Sequence, residues 1–299
     1  MRFLISGASG LLGTALIASL SETDHEIVRL TRPDTPAGPG RIVWDPAAIA
    51  LDTVQLEGFD VVVHLAGENV AGGRWSQAKK ERIRNSRVDG TSLLANSLKC
   101  LKKPPKVFVM ASATGYYGSR GDEKLPESSA PGSGFLADVT REWESAADVL
   151  AGTSARVVKL RIGVVLAPKG GALSKMLLPF KLGLGGKFGS GRQYMSWIAL
   201  DDLIGIIHHA IANESLSGPV NAVAPTPVTN AEFTKTLGRV LRRPTMAAVP
   251  AFVLRLAVGE MADEMLLLSA PVVPQKLTES GYEFLHPDLE NALRFVLGK

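Results

Sequence analysis

The first half of the chain predicts a doubly wound parallel α/β sheet. Short β-rich apolar runs alternate with longer stretches of helical spacing, the pattern of a parallel sheet covered by helices on both faces. A glycine-rich turn, Gly7-Ala8-Ser9-Gly10-Leu11-Leu12-Gly13, joins the first such run to the first helical stretch. Candidate strands fall at 2–6, 26–30, 41–44, 60–65, 106–112 and 156–162. Within them, Val61-Val62-Val63 and Val107-Phe108-Val109-Met110 are unbroken apolar runs suited to central strands buried on both sides. Helices fit between the strands at 10–20, 77–99 and 134–150. In the last of these Phe135, Val139, Trp143, Ala146 and Leu150 recur at spacings of three and four.

After Gly163 the rhythm changes to a glycine-rich segment at 183–191 and then to Pro- and helix-rich sequence. This predicts a nucleotide-binding domain over 1–166, completed by 198–226, where 220–223 returns to the sheet. Residues 167–197 and 227–299 form a smaller lobe. The helix over 203–212 is expected to take Asp202 as its N-cap.

With 299 residues and a hydrophobic share of 45%, the chain fills a sizeable core without staples. Its single cysteine, Cys100, forms no internal disulfide, which fits a reducing cytoplasm. No Cys/His cluster has metal-ligand spacing, and His208-His209, adjacent on a helix, point apart. Ser190 lacks the strand-elbow-helix setting of a hydrolase nucleophile. The net charge of +4 is dispersed, with Lys99-Cys100-Leu101-Lys102-Lys103 its densest cluster, so nucleic acid is not expected as a partner. The apolar stretch 251–273 is interrupted by Arg255, Glu260, Asp263 and Glu264, so no membrane span is expected there, and the first residues read as a strand instead of a leader. A small-molecule substrate is the expected partner, and the chain is expected to be a monomer or homodimer.

The turn at Gly7, Ser9, Gly10, Leu11, Leu12 and Gly13 follows a strand and opens a helix. In that setting backbone N–H groups and a helix N-terminus meet a dinucleotide pyrophosphate, the signature of a Rossmann domain. The end of the second strand decides the cofactor type. Thr31 and Arg32 stand where a 2′-phosphate would be received, which predicts NADP(H), while Asp34 leaves room for NAD.

Several further segments resemble one family. They are His64-Leu65-Ala66-Gly67-Glu68-Asn69, Asn85-Ser86-Arg87 with Gly90-Thr91, Ser112-Ala113-Thr114-Gly115-Tyr116-Tyr117-Gly118, Leu177-Leu178-Pro179-Phe180 through Gly191, and Trp197-Ile198-Ala199-Leu200-Asp201-Asp202. Together with the glycine turn they resemble the atypical extended short-chain dehydrogenases/reductases of the sugar-nucleotide-epimerase-like type, over essentially the whole chain. The stretch around Val273-Pro274-Gln275-Lys276-Leu277 and Gly281-Tyr282 resembles that subgroup's tail domain. The resemblance implies that Leu65 and Ala66 line the adenosine-ribose side of the cofactor and that Glu68, Arg87 and Arg82 reach toward it. Leu65-Ala66 as a plain strand end, and Glu68 with Arg87 as a structural ion pair, are the alternatives.

Redox members of the family use a Ser/Thr, a Tyr and a Lys one helical turn after the Tyr, the Lys lowering the Tyr pKa for acid/base work. Here Glu144, aligned with the acid that commonly follows the motif, puts Leu136 at the tyrosine position and Thr140 at the lysine position. Ala113 falls at the serine position, flanked by Ser112 and Thr114 on one strand face. Tyr117, with Tyr116 beside it, is the candidate displaced acid, so Ser112, Thr114 and Tyr117 are the catalytic candidates. Arg192, Gln193, Tyr194 and Trp197 are candidates for contacting a phosphate or sugar. Two functions follow: an NADP(H)-dependent oxidoreductase or epimerase acting on a small polar carbonyl or nucleotide-linked sugar, or an NADP(H)-binding redox-sensing or regulatory protein without turnover.

Overall fold

The computed structural model describes residues 1–35 and 38–299. In chain order the sheet domain begins β1 (Arg2–Ser6), α1 (Leu11–Leu20), β2 (Glu26–Thr31), β3 (Arg41–Asp45), β4 (Ala50–Leu51) and β5 (Val61–His64). It continues with α2 (Gln77–Lys99), β6 (Val107–Ala113), α3 (Phe135–Ala146) and β7 (Arg156–Ile162). Then come β8 (Val164–Leu166), α4 (Gly171–Lys181), β9 (Gly186–Phe188), β10 (Tyr194–Met195), β11 (Trp197–Ala199), α5 (Leu200–Ala212) and β12 (Gly218–Ala222). The remaining elements are β13 (Val228–Thr229), α6 (Asn230–Leu241), β14 (Ala247–Val249), α7 (Ala251–Val258), α8 (Gln275–Glu279) and α9 (Leu289–Leu297).

Eight strands form the main sheet in the order β12-β7-β6-β5-β1-β2-β3-β4. Every pair is parallel except β3 with β4. From β1 the chain moves outward through β2 and β3, then crosses to β5 on the other side of β1 and continues outward. The strand order reverses between β1 and β5, and open α/β sheets receive ligands outside the carboxyl ends of strands at such a point. Ser6 and His64, the last residues of these two strands, are paired there.

Side-chain alternation builds a core on each face of the sheet. Phe3, Ile5, Val61 and Val63 pack with Leu16, Leu203 and Ile207 on one face. Leu4, Val62 and Phe108 pack with Leu94, Leu98 and Trp143 on the other. Each such side chain contributes roughly 1.5–3 kcal/mol by leaving water. Among the described residues no helix is long and apolar enough to cross a membrane.

Three sequence expectations need correction. The helix expected over 134–150 ends as α-helix at Ala146 and closes with a 3-10 turn, Asp148–Leu150. The last strand of the sheet begins at Gly218, two residues before the expected 220–223, because Gly218 and Pro219 extend the register along β7. Asp202 is not an N-cap: α5 starts at Leu200 with Ala199 in the cap position. Asp202 is buried, and its carboxylate accepts the backbone N–H groups of Leu285 at 2.7 Å and His286 at 2.9 Å. It ties the C-terminal tail to the helix that follows β11.

Candidate functional site

The glycine turn is shaped by contacts that only glycine permits at two positions. Gly7 has φ +68°, and a Cβ there would lie 2.7 Å from the Leu65 carbonyl, at the carboxyl end of β5. A Cβ on Gly13 would lie 2.3 Å from the Gly7 carbonyl oxygen. The turn therefore folds tightly under the start of α1 and against β5, which leaves the helix N-terminus open above it. That terminus has no side-chain cap at Gly10 and no acid in its first turn, where Leu11, Leu12 and Gly13 stand. Uncapped first-turn N–H groups and the positive end of the helix dipole suit a pyrophosphate. Ser9 is exposed on the same turn.

A buried polar chain fixes the opposite wall. Ser6 Oγ accepts the backbone N–H groups of Leu65 at 3.1 Å and Ala66 at 3.3 Å and lies 2.7 Å from His64 Nδ1. With both lone pairs used, the hydroxyl donates to Nδ1, so the imidazole carries its proton on Nε2 and donates it to Thr91 Oγ1 at 3.1 Å. Thr91 Oγ1 also accepts the Trp143 indole N–H at 2.8 Å. The chain Ser6–His64–Thr91–Trp143 thus holds β1, β5, α2 and α3 in one arrangement beneath Leu65 and Ala66.

Full burial pulls the His64 pKa from 6.5 down to about 4. Between those values the unfolded chain binds a proton that the folded chain refuses. The stability owed to neutral His64 is complete above pH 6.5 and is lost as pH falls toward 4, about 3 kcal/mol in all. Urea midpoints at pH 7 and pH 4.5 should show a steeper acid loss in the wild type than in His64→Gln, and parallel losses would contradict this role.

Arg32 follows β2 with its side chain largely in solvent. Its nearest charged partner is Asp34, at 3.8 Å, too far for more than a loose pair. Thr31 Oγ1 makes only a 3.5 Å contact to the Ile42 carbonyl. Both stand at the carboxyl end of the strand beside β1. Glu68 and Arg87 do meet, but not as the carboxylate–guanidinium pair weighed as the alternative. Arg87 donates to the Glu68 carbonyl at 3.0 Å and lies over the Trp143 ring at 5.1 Å. The Glu68 carboxylate takes Lys79 Nζ at 2.5 Å, and that hydrogen bond holds its pKa below the usual range. Burial lowers the Arg87 pKa to about 10. Arg82, five residues before Arg87 on α2, is exposed.

The three catalytic candidates part company. Ser112 is buried and donates to Glu144 Oε1 at 2.6 Å. Arg161 grips the same carboxylate with two bonds, Nε to Oε1 at 2.8 Å and a terminal N to Oε2 at 2.9 Å. Tyr117 is fully buried, donates to Asn221 Oδ1 at 2.7 Å and accepts from Arg161 at 2.8 Å. Burial raises its pKa to about 12. Tyr116 lies flat against the Arg161 guanidinium at 3.4 Å. Thr114 alone is partly exposed and weakly tied, by a 3.4 Å contact to the Ile162 carbonyl. Tyr117→Phe is therefore expected to cost about 1–2 kcal/mol of stability in urea unfolding and to leave dinucleotide affinity unchanged.

Leu136 and Thr140 face the loop after β6, where a Cβ on Gly115 would meet Leu136 at 3.5 Å and Thr140 Oγ1 at 3.9 Å. Thr140 Oγ1 turns back to the Leu136 carbonyl at 2.6 Å. One feature here has no local sequence signal. Gly134 offers no side-chain cap to α3, and Glu264 caps it from the C-terminal tail, accepting Phe135 N–H at 3.1 Å and Leu136 N–H at 3.0 Å. In the smaller lobe Gln193 and Trp197 are buried and bond backbone carbonyls, while Arg192 is exposed. Among the described residues no cluster of His, Cys, Asp or Glu is placed to hold a metal ion.

A parallel sheet with a glycine cradle at its switch point is the architecture of a dinucleotide-binding α/β protein. Residues 3–223 match the NAD dependent epimerase/dehydratase family, and residues 249–296 match a domain of unknown function. The chain belongs to the NAD dependent epimerase/dehydratase family, and the resemblance read from its motifs, tail domain included, holds. Epimerase family protein Mb2239 of Mycobacterium bovis is 43% identical over 292 residues, covering 98% of this chain and 96% of that one. Human epimerase family protein SDR39U1 is 39% identical over 300 residues, covering 99% and 100%. The crystal structure of the human protein (isoform2) with NADPH matches at a TM-score of 0.91 and 38% identity, over 100% of both chains. That of a nucleoside-diphosphate sugar epimerase from Corynebacterium glutamicum matches at 0.83 and 37% identity, over 100% of this chain and 58% of that one.

Proposed function

We propose that this protein binds NADP(H) across Gly7–Gly13 and Arg32 and acts as an oxidoreductase or epimerase on the carbonyl or carbinol group of a small substrate. The carrying observation is the cradle itself: Gly7 pressed against Leu65, with an uncapped helix N-terminus above. The residues fit the cofactor. Leu11, Leu12 and Gly13 present the first-turn N–H groups, Ser9 a hydroxyl, Thr31 and Arg32 a 2′-phosphate site, and Leu65 and Ala66 a fixed wall. When bound, the nicotinamide supplies or accepts the hydrogen and electron pair exchanged at the substrate carbon. The human relative's structure with NADPH supports the choice of the phosphorylated dinucleotide.

In this reading Thr114 donates a hydrogen bond to the substrate oxygen, and Ser112 and Tyr117 act as positioning residues through Glu144 and Arg161. Arg82 and Arg87 border the cofactor cleft, Arg87 by holding the Glu68 backbone. Residues 167–197 and 227–299 form the substrate lobe. Leu136 and Thr140 bring no titrating group, so proton exchange runs through Thr114 to water.

The same two residues favour a second reading, NADP(H) binding without turnover in a redox-sensing or regulatory role. Loss of NADPH absorbance against a panel of carbonyl compounds decides between them. The enzyme reading expects turnover with at least one compound, falling roughly a hundredfold in Thr114→Val at unchanged NADPH affinity. Tight NADPH binding with no consumption by any compound supports the second.

A further inference from the structure

Two tracts of the smaller lobe combine exposed hydrocarbon with charge of one sign. Leu178, Leu182 and Leu184 in the first tract and Phe252 and Leu256 in the second are each about two-thirds or more exposed, and Met246 is 93% exposed. The chain has no Asp or Glu between Asp148 and Asp201, and none between Glu232 and Glu260. Cations stand among the apolar residues instead: Lys175, Lys181 and Lys187 in the first tract and Arg242 and Arg243 in the second are all exposed. Scattered apolar side chains need no explanation, but a concentration of them rimmed by charge marks a binding surface.

The fold lays the two tracts side by side. Arg243 Nε donates to the Lys181 carbonyl at 2.9 Å, and a Cβ on Gly183 would lie 3.7 Å from Pro244. Leu182 and Leu184 flank that contact on one side, and Met246 follows it by two residues on the other. From there β9 and β14 run in parallel, Gly186 beside Ala247 and Phe188 beside Val249. The tracts stay together past the strands. Gly189 N–H donates to the Val249 carbonyl at 2.9 Å, and a Cβ on Gly189 would lie 3.8 Å from Ala251, the residue before Phe252. Three paired residues span only roughly 10 Å, which puts the exposed side chains at the two ends of the ribbon within one patch.

Both flanking helices turn hydrocarbon outward. α4 buries Leu173 and Phe180 and exposes Leu178, one turn before its C-cap Leu182. α7 buries Leu254, half-buries Ala251 and Val258 on the same stripe, and exposes Phe252, Val253, Leu256 and Ala257, with Arg255 as its one charge. A surface helix ordinarily presents polar side chains on that face. The acids that follow α7 are already paired, Glu260 with Lys80 at 2.9 Å and Asp263 with Arg255 at 2.8 Å.

Charge decides what covers this patch. A second copy docked by the same face would set its cations against these. Nucleic acid would pair with the cations and leave the hydrocarbon in water. A bilayer with anionic headgroups satisfies both features, because apolar side chains enter the headgroup boundary while lysines and arginines stay at the level of the phosphates. Met246, nearly clear of its own protein, suits a fluid layer, whereas an acidic protein would need a pocket shaped to receive it.

We infer that the smaller lobe docks on a bilayer surface rich in anionic lipid. Met246, Phe252 and the leucines of the two tracts enter the headgroup region, and Lys181, Lys187, Arg242 and Arg243 meet the phosphates. The contact is interfacial, since no described helix is long and apolar enough to cross a membrane. It needs no cofactor, so failure of NADPH to bind would leave it standing.

The test is co-sedimentation with vesicles of phosphatidylcholine alone and of phosphatidylcholine with roughly one-third phosphatidylglycerol. The wild type should partition onto the anionic vesicles at least about tenfold more strongly, and roughly 0.5 M salt should remove most of that preference. Phe252→Asp with Leu256→Asp, and separately Lys181→Glu with Lys187→Glu, should each weaken anionic-vesicle binding by about tenfold or more. All four substitutions are at exposed positions, and the salt series in the wild type reads the charge requirement without them. No pelleting of the wild type with anionic vesicles, equal pelleting with both kinds, or binding that both double variants retain overturns the inference. Sedimentation of the wild type as a dimer that Phe252→Asp with Leu256→Asp splits would assign the patch to a second copy and overturn it. Binding to polyglutamate as tight as to the anionic vesicles would assign it to an acidic protein, with the same consequence.

Discussion

Replacing Gly13 by alanine is expected to remove dinucleotide binding more completely than any other single methyl added to the turn. The new Cβ would sit 2.3 Å from the Gly7 carbonyl oxygen and 2.7 Å from the Ala8 Cα. Both are backbone atoms, and Gly7 is packed so closely against β5 that a Cβ on it would lie 2.7 Å from the Leu65 carbonyl, so the turn has little room to retreat. Overpacking of this kind costs about 1–3 kcal/mol of stability. The displaced turn should weaken NADPH by roughly 30-fold or more, equivalent to ~2 kcal/mol. Gly10→Ala is the control. Its Cβ would meet only the Gly7 oxygen, at 3.3 Å, which a small shift relieves. Calorimetry on the two variants should separate them clearly, and equal affinities would mean the turn is not the cofactor's support.

The second large effect is expected at Arg161→Met. Arg161 and Glu144 are 2% and 6% exposed, and the guanidinium also bonds the Tyr117 hydroxyl. Removing it leaves the Glu144 carboxylate buried with Ser112 as its one remaining side-chain donor. Breaking such a pair costs about 3–5 kcal/mol, whereas replacing both partners with apolar residues of similar size restores much of it. The single variant should unfold about 5–8 °C below the wild type. Arg161→Met with Glu144→Leu should regain a good part of that difference. A double variant as unstable as the sum of the singles would mean that the pair acts as two independent groups.

Much of the sheet domain was legible because its signals are local. The strands 2–6 and 156–162 and the helix 77–99 stand where periodicity put them, and the glycine turn was marked by strand before and helix after. The residues that the sequence misjudged act over long separations. Asp202 reads as a helix cap by its neighbours, yet its carboxylate serves Leu285 and His286 some eighty residues on. Glu264 caps α3 from the tail, with nothing near Gly134 to announce it. Tyr117 reads as a loop tyrosine at the sheet edge. Its burial comes from Leu125 nearby in the chain, Val223 after β12, and Ala270 and Val272 of the tail, which only the fold brings together. Conversely, the absence of a Tyr-x-x-x-Lys pair was plain from the sequence alone, and Leu136 and Thr140 do face the loop after β6.

Arg32 carries the discrimination between the two dinucleotides in this account, and its exposed position lets it be removed without harm to the fold. Calorimetric titration of the wild type and Arg32→Ala with NADPH and NADH side by side tests that most directly. The account predicts that the wild type binds NADPH at least about tenfold more tightly than NADH, as one charge-assisted phosphate contact warrants, and that Arg32→Ala erases the difference by weakening NADPH alone. Equal binding of the two dinucleotides by the wild type, or no binding of either at millimolar concentration, would contradict it.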